Sequence, residues 1–249
     1  MERTFNLKIN KLPESKLRMI TRPENTKILT KVDLSKSKNM PPVYDQGSLG
    51  SCTACALLAA YDYIKPENFM GSRLFLYYNS RMVENDVEND SGAYLFDGVK
   101  CLEKYGVCPE KMYPYIIKKF NKPPPASVYL AALKNKVLKA YNIKNTLESM
   151  KRELSAGNPF VVGIYVYKAF LSGQVAKTGA VPMPGPKERP LGGHAVLVVG
   201  YDDSTSQFIL RNSWGKGWGI NGSGYFYLPY AFLSDPTQST DLWVITAVT

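Results

Sequence analysis

A chain of 249 residues, 45% hydrophobic and 21% charged, has the size and composition of a globular enzyme with a sizeable core, and its 17 Tyr, 17 Pro and 19 Gly argue against a helical bundle. The net charge of +10 is uneven, because residues 1–44 hold ten Lys/Arg against four Asp/Glu and the other 205 residues carry only +4. Without a dense basic run or interleaved aromatics, the leading part reads as a solvated extension and not as a specific nucleic-acid arm.

The first 27 residues show one short alternation, Phe5, Leu7 and Ile9, the pattern of a single strand. No apolar run reaches the roughly 18–20 residues of a membrane span, and the N-terminus lacks the apolar centre of a signal peptide, so an intracellular site and free thiols are expected for the four cysteines. Residues 31–44 are Lys-rich and then Pro-rich, and a Gly/Ser turn at 46–51 leads into an apolar run over 52–64 that predicts a buried helix starting at Ser51 or Cys52. Helical spacing recurs at 74–83, 98–105 and 147–156, whereas 118–127 contains Pro123, Pro124 and Pro125 and is expected to be irregular. Strands are predicted at 160–167, 195–201, 208–212 and 225–228, which makes the first half helical and the second mainly β.

The chemistry concentrates in three segments. Gln46-Gly-Ser-Leu-Gly-Ser-Cys52 places a thiol at a helix start, where unpaired backbone N–H groups favour an anion. The chain has one histidine, His194, set between Gly192-Gly193 and an apolar β run, so any Cys–His pair must use it. Next comes Arg211-Asn212-Ser213-Trp214-Gly-Lys-Gly-Trp218-Gly, an amide able to hold an imidazole followed by an indole able to shield the bond. His194 lies 142 residues and Asn212 160 residues after Cys52.

QGSLGSC, GGHAVLVVGY and RNSWGKGWG, in that order, resemble the three catalytic segments of the papain and cathepsin family, a resemblance running from about Val32 to Leu228. It implies an α+β papain-like fold of two lobes: a helical lobe at about 45–136, a β-barrel-like lobe at about 137–249 plus 28–44, and a cleft between them. It implies a cysteine endopeptidase without metal or cofactor, acting on protein or peptide substrates through Cys52 as nucleophile, His194 as base, Asn212 as the residue that orients it and Gln46 as an oxyanion donor. Gly92, Ala93 and Gly193 would offer backbone to the substrate, Tyr94, Leu95 and Gly163 would line an apolar pocket for the residue two before the cut, and Trp214 and Trp218 would border the site. The family's disulfide partners are replaced by Leu49 and Asp90, its aromatic after the nucleophile by Thr53, and one glycine of its substrate-binding pair by Ala93. Since only about 30 residues precede the part that resembles a mature enzyme, a long inhibitory propeptide is not expected. Residues 1–27 are instead expected to lie across or beside the cleft as a short regulatory, intramolecular inhibitor.

Three rivals explain less. Cys52-x-x-Cys55 as a redox pair leaves His194 and Asn212 without a task, and Cys55 reads as core. Cys101 and Cys108 lack the second ligand pair that zinc requires. An inactive binding scaffold has no reason to keep all three side chains, and an acyltransferase or transamidase shares the Cys–His chemistry and separates from a hydrolase only by its product.

Overall fold

The computed structural model describes residues 4–9, 18–20, 26–65 and 69–249. Helix α1 (Cys52–Ile64) begins where the apolar run predicts, and 11 of its 13 residues are buried. Such a helix, apolar all round, has to sit in the middle of the molecule rather than on its surface. Around it pack α2 (Arg73–Val83), whose N-cap Ser72 accepts the Phe75 N–H, and α3 (Leu95–Lys104). The short α4 (Ala126–Ala132) begins directly after Pro125, which has φ −62°. The proline-rich stretch is therefore irregular only up to Pro125, because proline's fixed φ suits the entry to a helix.

The β-rich part holds seven strands among the described residues: β1 (Lys31–Asp33), β2 (Val137–Asn142), β3 (Phe160–Val166), β4 (Gly192–Asp202), β5 (Gln207–Arg211), β6 (Tyr225–Pro229) and β7 (Ser239–Val248). They form one antiparallel sheet in the order β2-β7-β3-β4-β5-β6, with β1 added to β4. Side chains alternate between two cores, as a pleated strand requires. Val161, Ala195, Leu197, Val199, Ile209, Trp243 and Ile245 join the core that surrounds α1. Phe160, Val162, Ile164, Val196, Val198, Phe208, Leu210, Leu242 and Val244 fill the other face, which α5 (Leu147–Ser155) helps to cover with Met150 and Leu154.

This arrangement is an α+β molecule of two lobes, joined where α1 lies against β4 and β7. Strands β2 and β7 lie outside the sequence expectation. With one core on each side, β7 shows no polar alternation, and a bulge opposite β3, with Asp241 at φ +56°, interrupts it. Among the described residues no helix is long and apolar enough to cross a membrane.

Candidate active site

Cys52 is the first residue of α1 and is fully buried. The backbone of Ala195, the neighbour of His194 on β4, acts on its sulfur to favour the thiolate, which brings the thiol of one lobe to the imidazole strand of the other. Burial pushes the Cys52 thiol up to about 11, outweighing the lowering by the Ala195, Thr53 and Cys52 backbone groups and the Thr53 hydroxyl. Desolvation thus works against the ionised sulfur that a helix terminus favours.

His194 Nε2 lies 2.8 Å from Asn212 Oδ1. The same oxygen accepts the backbone N–H of Ser213 at 2.8 Å. Because a backbone N–H can only donate, that second bond fixes which end of the Asn212 amide faces the ring, and the proton between ring and amide must sit on Nε2. Trp214 covers the pair, with its ring 5.3 Å from the imidazole and only 3% of the residue exposed. Behind it stand Trp218 at 5.0 Å and Phe170 at 5.1 Å. Phe170 also reaches His194, at 6.2 Å between ring centres. Trp218 packs on Trp214, Phe170 and Phe226, so its place is support behind the first indole.

Gln46 is buried and held from three directions. Its N–H donates to the Ser213 carbonyl at 2.9 Å, its Oε1 accepts the Ser213 hydroxyl at 2.6 Å, and its Nε2 donates to the Leu49 carbonyl at 2.9 Å. A primary amide carries two N–H donors, so the Leu49 bond leaves a second one for another oxygen.

A segment of the chain itself occupies the cleft beside these groups. Residues 4–9 form parallel bridges, Asn6 with Gly193 and Leu7 with Ala93. The Leu7 N–H donates to the Gly193 carbonyl at 3.0 Å and the Lys8 N–H to the Ala93 carbonyl at 3.2 Å. Phe5 lies edge-on to His194 at 6.1 Å and tilted to Trp214 at 5.7 Å. Leu7, 5% exposed, points at Gly163, where a Cβ would come within 2.7 Å of its Cδ2 and 3.4 Å of Thr240 Cγ2. Gly92, at φ +75°, passes under the segment so closely that a Cβ would overlap the Asn6 carbonyl.

Of the residues expected to meet substrate, Ala93, Gly193 and Gly163 thus contact this segment directly, and Gly92 contributes closeness rather than a hydrogen bond. Tyr94 places its ring 5.8 Å from the Lys8 ammonium. Leu95 is fully buried at the start of α3, in the core shared with Leu7.

The loops that carry these groups are tied together without a disulfide, and the four cysteines are free and buried. Asp90 accepts the Gly50 N–H at 2.9 Å and the Tyr77 hydroxyl, and its carbonyl accepts Asn6 Nδ2 at 2.7 Å. Ser213 and Phe170 are residues that sequence reading missed, and Asp90, noted there only as replacing a cysteine, proves to tie the loops. Ser213 was legible as the neighbour of Asn212, but nothing local marks Phe170, which reaches the site from the short 3-10 turn after β3.

With this geometry in view, a profile of the papain family cysteine proteases matches residues 28–231, and the chain belongs to that family. An uncharacterised peptidase C1-like protein of Acanthamoeba polyphaga mimivirus is 43% identical over 233 residues, covering 87% of this chain and 74% of that one. Chymopapain of Carica papaya is 26% identical over 200 residues, covering 77% of this chain and 53% of its own. Among solved structures, xylellain, a cysteine protease from Xylella fastidiosa, superposes with TM-score 0.90 at 34% identity, covering 100% of this chain and 98% of that one. A proCathepsin B from Trypanosoma congolense shares the fold at TM-score 0.70 and 20% identity, covering 89% and 80%.

Proposed function

We propose that the protein is a cysteine endopeptidase in which Cys52 attacks a peptide carbonyl, His194 protonates the departing amine, and water then hydrolyses the thioester with His194 as base. Asn212 holds the imidazole through Nε2, so Nδ1 is the nitrogen that exchanges protons with the sulfur and the amine. The Cys52 N–H and the second N–H of the Gln46 amide would stabilise the oxyanion. The observation that supports this reading is that the chain's one histidine, bonded to Asn212, sits on β4 directly before Ala195, whose backbone acts on the buried thiol at the tip of α1. The pocket at Gly163 takes an apolar side chain two residues before the cut, as Leu7 illustrates.

The reading extends to residues 4–9 as an intramolecular inhibitor. Residues before a cut remain on the carbonyl attacked by Cys52, and residues after it leave on the amine that His194 protonates. Phe5, the earlier residue, lies at His194 and Trp214, while the later Leu7 and Lys8 lead away to Gly163 and Ala93. The segment therefore runs opposite to a substrate whose apolar residue precedes the cut, and it fills the cleft without offering a peptide bond in the reactive sense.

The test is labelling of the full chain with a thiol-directed epoxide peptide, alongside hydrolysis of a fluorogenic peptide with leucine two residues before the reporter. Labelling and hydrolysis that both vanish in Cys52→Ala are expected. Equal labelling of the variant places the reactive thiol elsewhere, and a product formed only when an amine is added identifies a transferase instead.

A further inference from the structure

Beyond the apolar pocket, the cleft carries a second feature that the mechanism does not use. The loop after α2 reads Val-Glu-Asn-Asp twice, at residues 83–86 and 87–90, and sets four carboxylates, Glu84, Asp86, Glu88 and Asp90, along seven positions. Asp90 is committed to Gly50 and Tyr77, and Glu88 accepts Asn121 Nδ2 at 3.0 Å on the outer surface. Glu84 and Asp86 turn the other way and meet a cation. The Lys8 ammonium stands 2.5 Å from Glu84 Oε2 and 3.8 Å from Asp86 Oδ2, and 5.8 Å from the centre of the Tyr94 ring.

The site is built rather than incidental. The Glu84 side chain is 8% exposed, and its other oxygen accepts the Tyr94 N–H at 3.1 Å, so the carboxylate is anchored to the backbone next to Ala93, which pairs with the segment. A carboxylate so nearly buried is costly without a partner, and carboxylate, second carboxylate and aromatic face together suit an ammonium or guanidinium. The cation enters on a residue whose N–H is bonded to Ala93, next to one whose side chain fills the Gly163 pocket. Any extended peptide that pairs with Ala93 and puts an apolar side chain at Gly163 carries its next residue away from the cut to the same place.

We propose that Glu84, Asp86 and Tyr94 form a subsite for a basic residue three positions before the cut, so that preferred substrates are peptides with Lys or Arg followed by an apolar residue and then the residue whose carbonyl is attacked. Lys8 holds this subsite in the resting chain, as Leu7 holds the apolar pocket. The proposal rests on the peptidase reading, and it is tested by binding as well as by turnover so that the two fail separately.

Full-length Leu7→Ala, in which the segment is weakened, is assayed with two fluorogenic peptides that differ only in lysine or norleucine at that third position. The same two peptides are titrated calorimetrically against full-length Leu7→Ala/Cys52→Ala, which cannot turn them over. The lysine peptide is expected to bind and to be cleaved at least fivefold better. Glu84→Gln, which keeps the acceptor for the Tyr94 N–H, and separately Asp86→Asn, each added to Leu7→Ala, are expected to shrink that advantage, and added salt to shrink it in Leu7→Ala with both carboxylates kept. Equal affinity for the two peptides, or a lysine advantage that survives both substitutions, overturns the subsite. A lysine advantage in binding with no hydrolysis of either peptide upholds the subsite and removes the peptidase reading.

Discussion

Leu7→Ala is the most direct test of the occluding segment. Leu7 is 5% exposed and lies against Gly163, so the substitution removes apolar contact of about three carbon groups, about 2 kcal/mol at ~0.8 kcal/mol for each. Backbone pairing to Gly193 and Ala93, the Lys8 ion pairs and the Phe5 contacts stay, so the closed state weakens without the lobes being touched. About 2 kcal/mol multiplies the open fraction by about 30 as long as closed molecules dominate. The readout is the rate of Cys52 alkylation by iodoacetamide, followed by peptide mass, because a fully buried sulfur under an inhibitory segment is expected to react when that segment lifts. A rise of about 10- to 30-fold is expected at an unchanged melting temperature. Equal rates in the two proteins would refute the segment as the barrier, and a rise matched by a large fall in melting temperature would trace it to general loosening.

The pH dependence of the same reaction follows from linkage. The closed state holds the Cys52 proton up to about 11 while an open, hydrated thiol releases it earlier, so raising pH favours opening together with ionisation. Alkylation of the full chain is expected to climb about tenfold per pH unit beyond the point at which Leu7→Ala levels off; coincident profiles sink this reading. Asn212→Ala leaves the ring free to turn, and kcat for peptide hydrolysis is expected to fall about 100-fold with KM little changed; an unaltered kcat argues against the orienting role. Asp90→Ala strips the acceptor from the Gly50 N–H and the Tyr77 hydroxyl, at a cost of about 2–3 kcal/mol seen as a lower urea midpoint, whereas a loss below about 0.5 kcal/mol makes that tie ornamental. Burial pushes the Asp241 carboxyl up to about 7, so the native chain keeps a proton that the unfolded one releases near its ordinary value. That contribution to stability is whole below about pH 4 and fades as pH rises to about 7. Asp241→Asn tolerates the same left-handed backbone and is expected to gain on the parent protein across that window; a pH-independent difference between the two removes the claim.

The elements and the site were legible to different degrees. The 52–64 helix could be read because it is long and apolar throughout, and β3, β4 and β5 because hydrophobic runs of strand length end at glycine, asparagine or charge. Strand β7 was illegible because its bulge at Asp241 breaks the period and its two buried faces remove the polar alternation. Cys52, His194 and Asn212 stood out by their surroundings, the histidine also as the chain's one imidazole, whereas the Phe5-Leu7-Ile9 alternation, read as a strand, is present as two isolated bridges at Asn6 and Leu7. Which way that stretch runs, and that Lys8 meets Glu84, depend on contacts between positions 76 residues apart, which no local pattern encodes. The surroundings of the sulfur were hidden for a related reason, since a helix start is visible in a sequence and the cover over it is not.

The tie that Asp90 makes between the nucleophile loop and the neighbouring loop has a practical side. A cystine there would couple the shape of the cleft to the same reductants that keep the reactive thiol competent, whereas a carboxylate accepting an amide and a phenol is indifferent to electrons. The protein can meet strong dithiol, or a strongly reducing milieu, with its scaffold untouched.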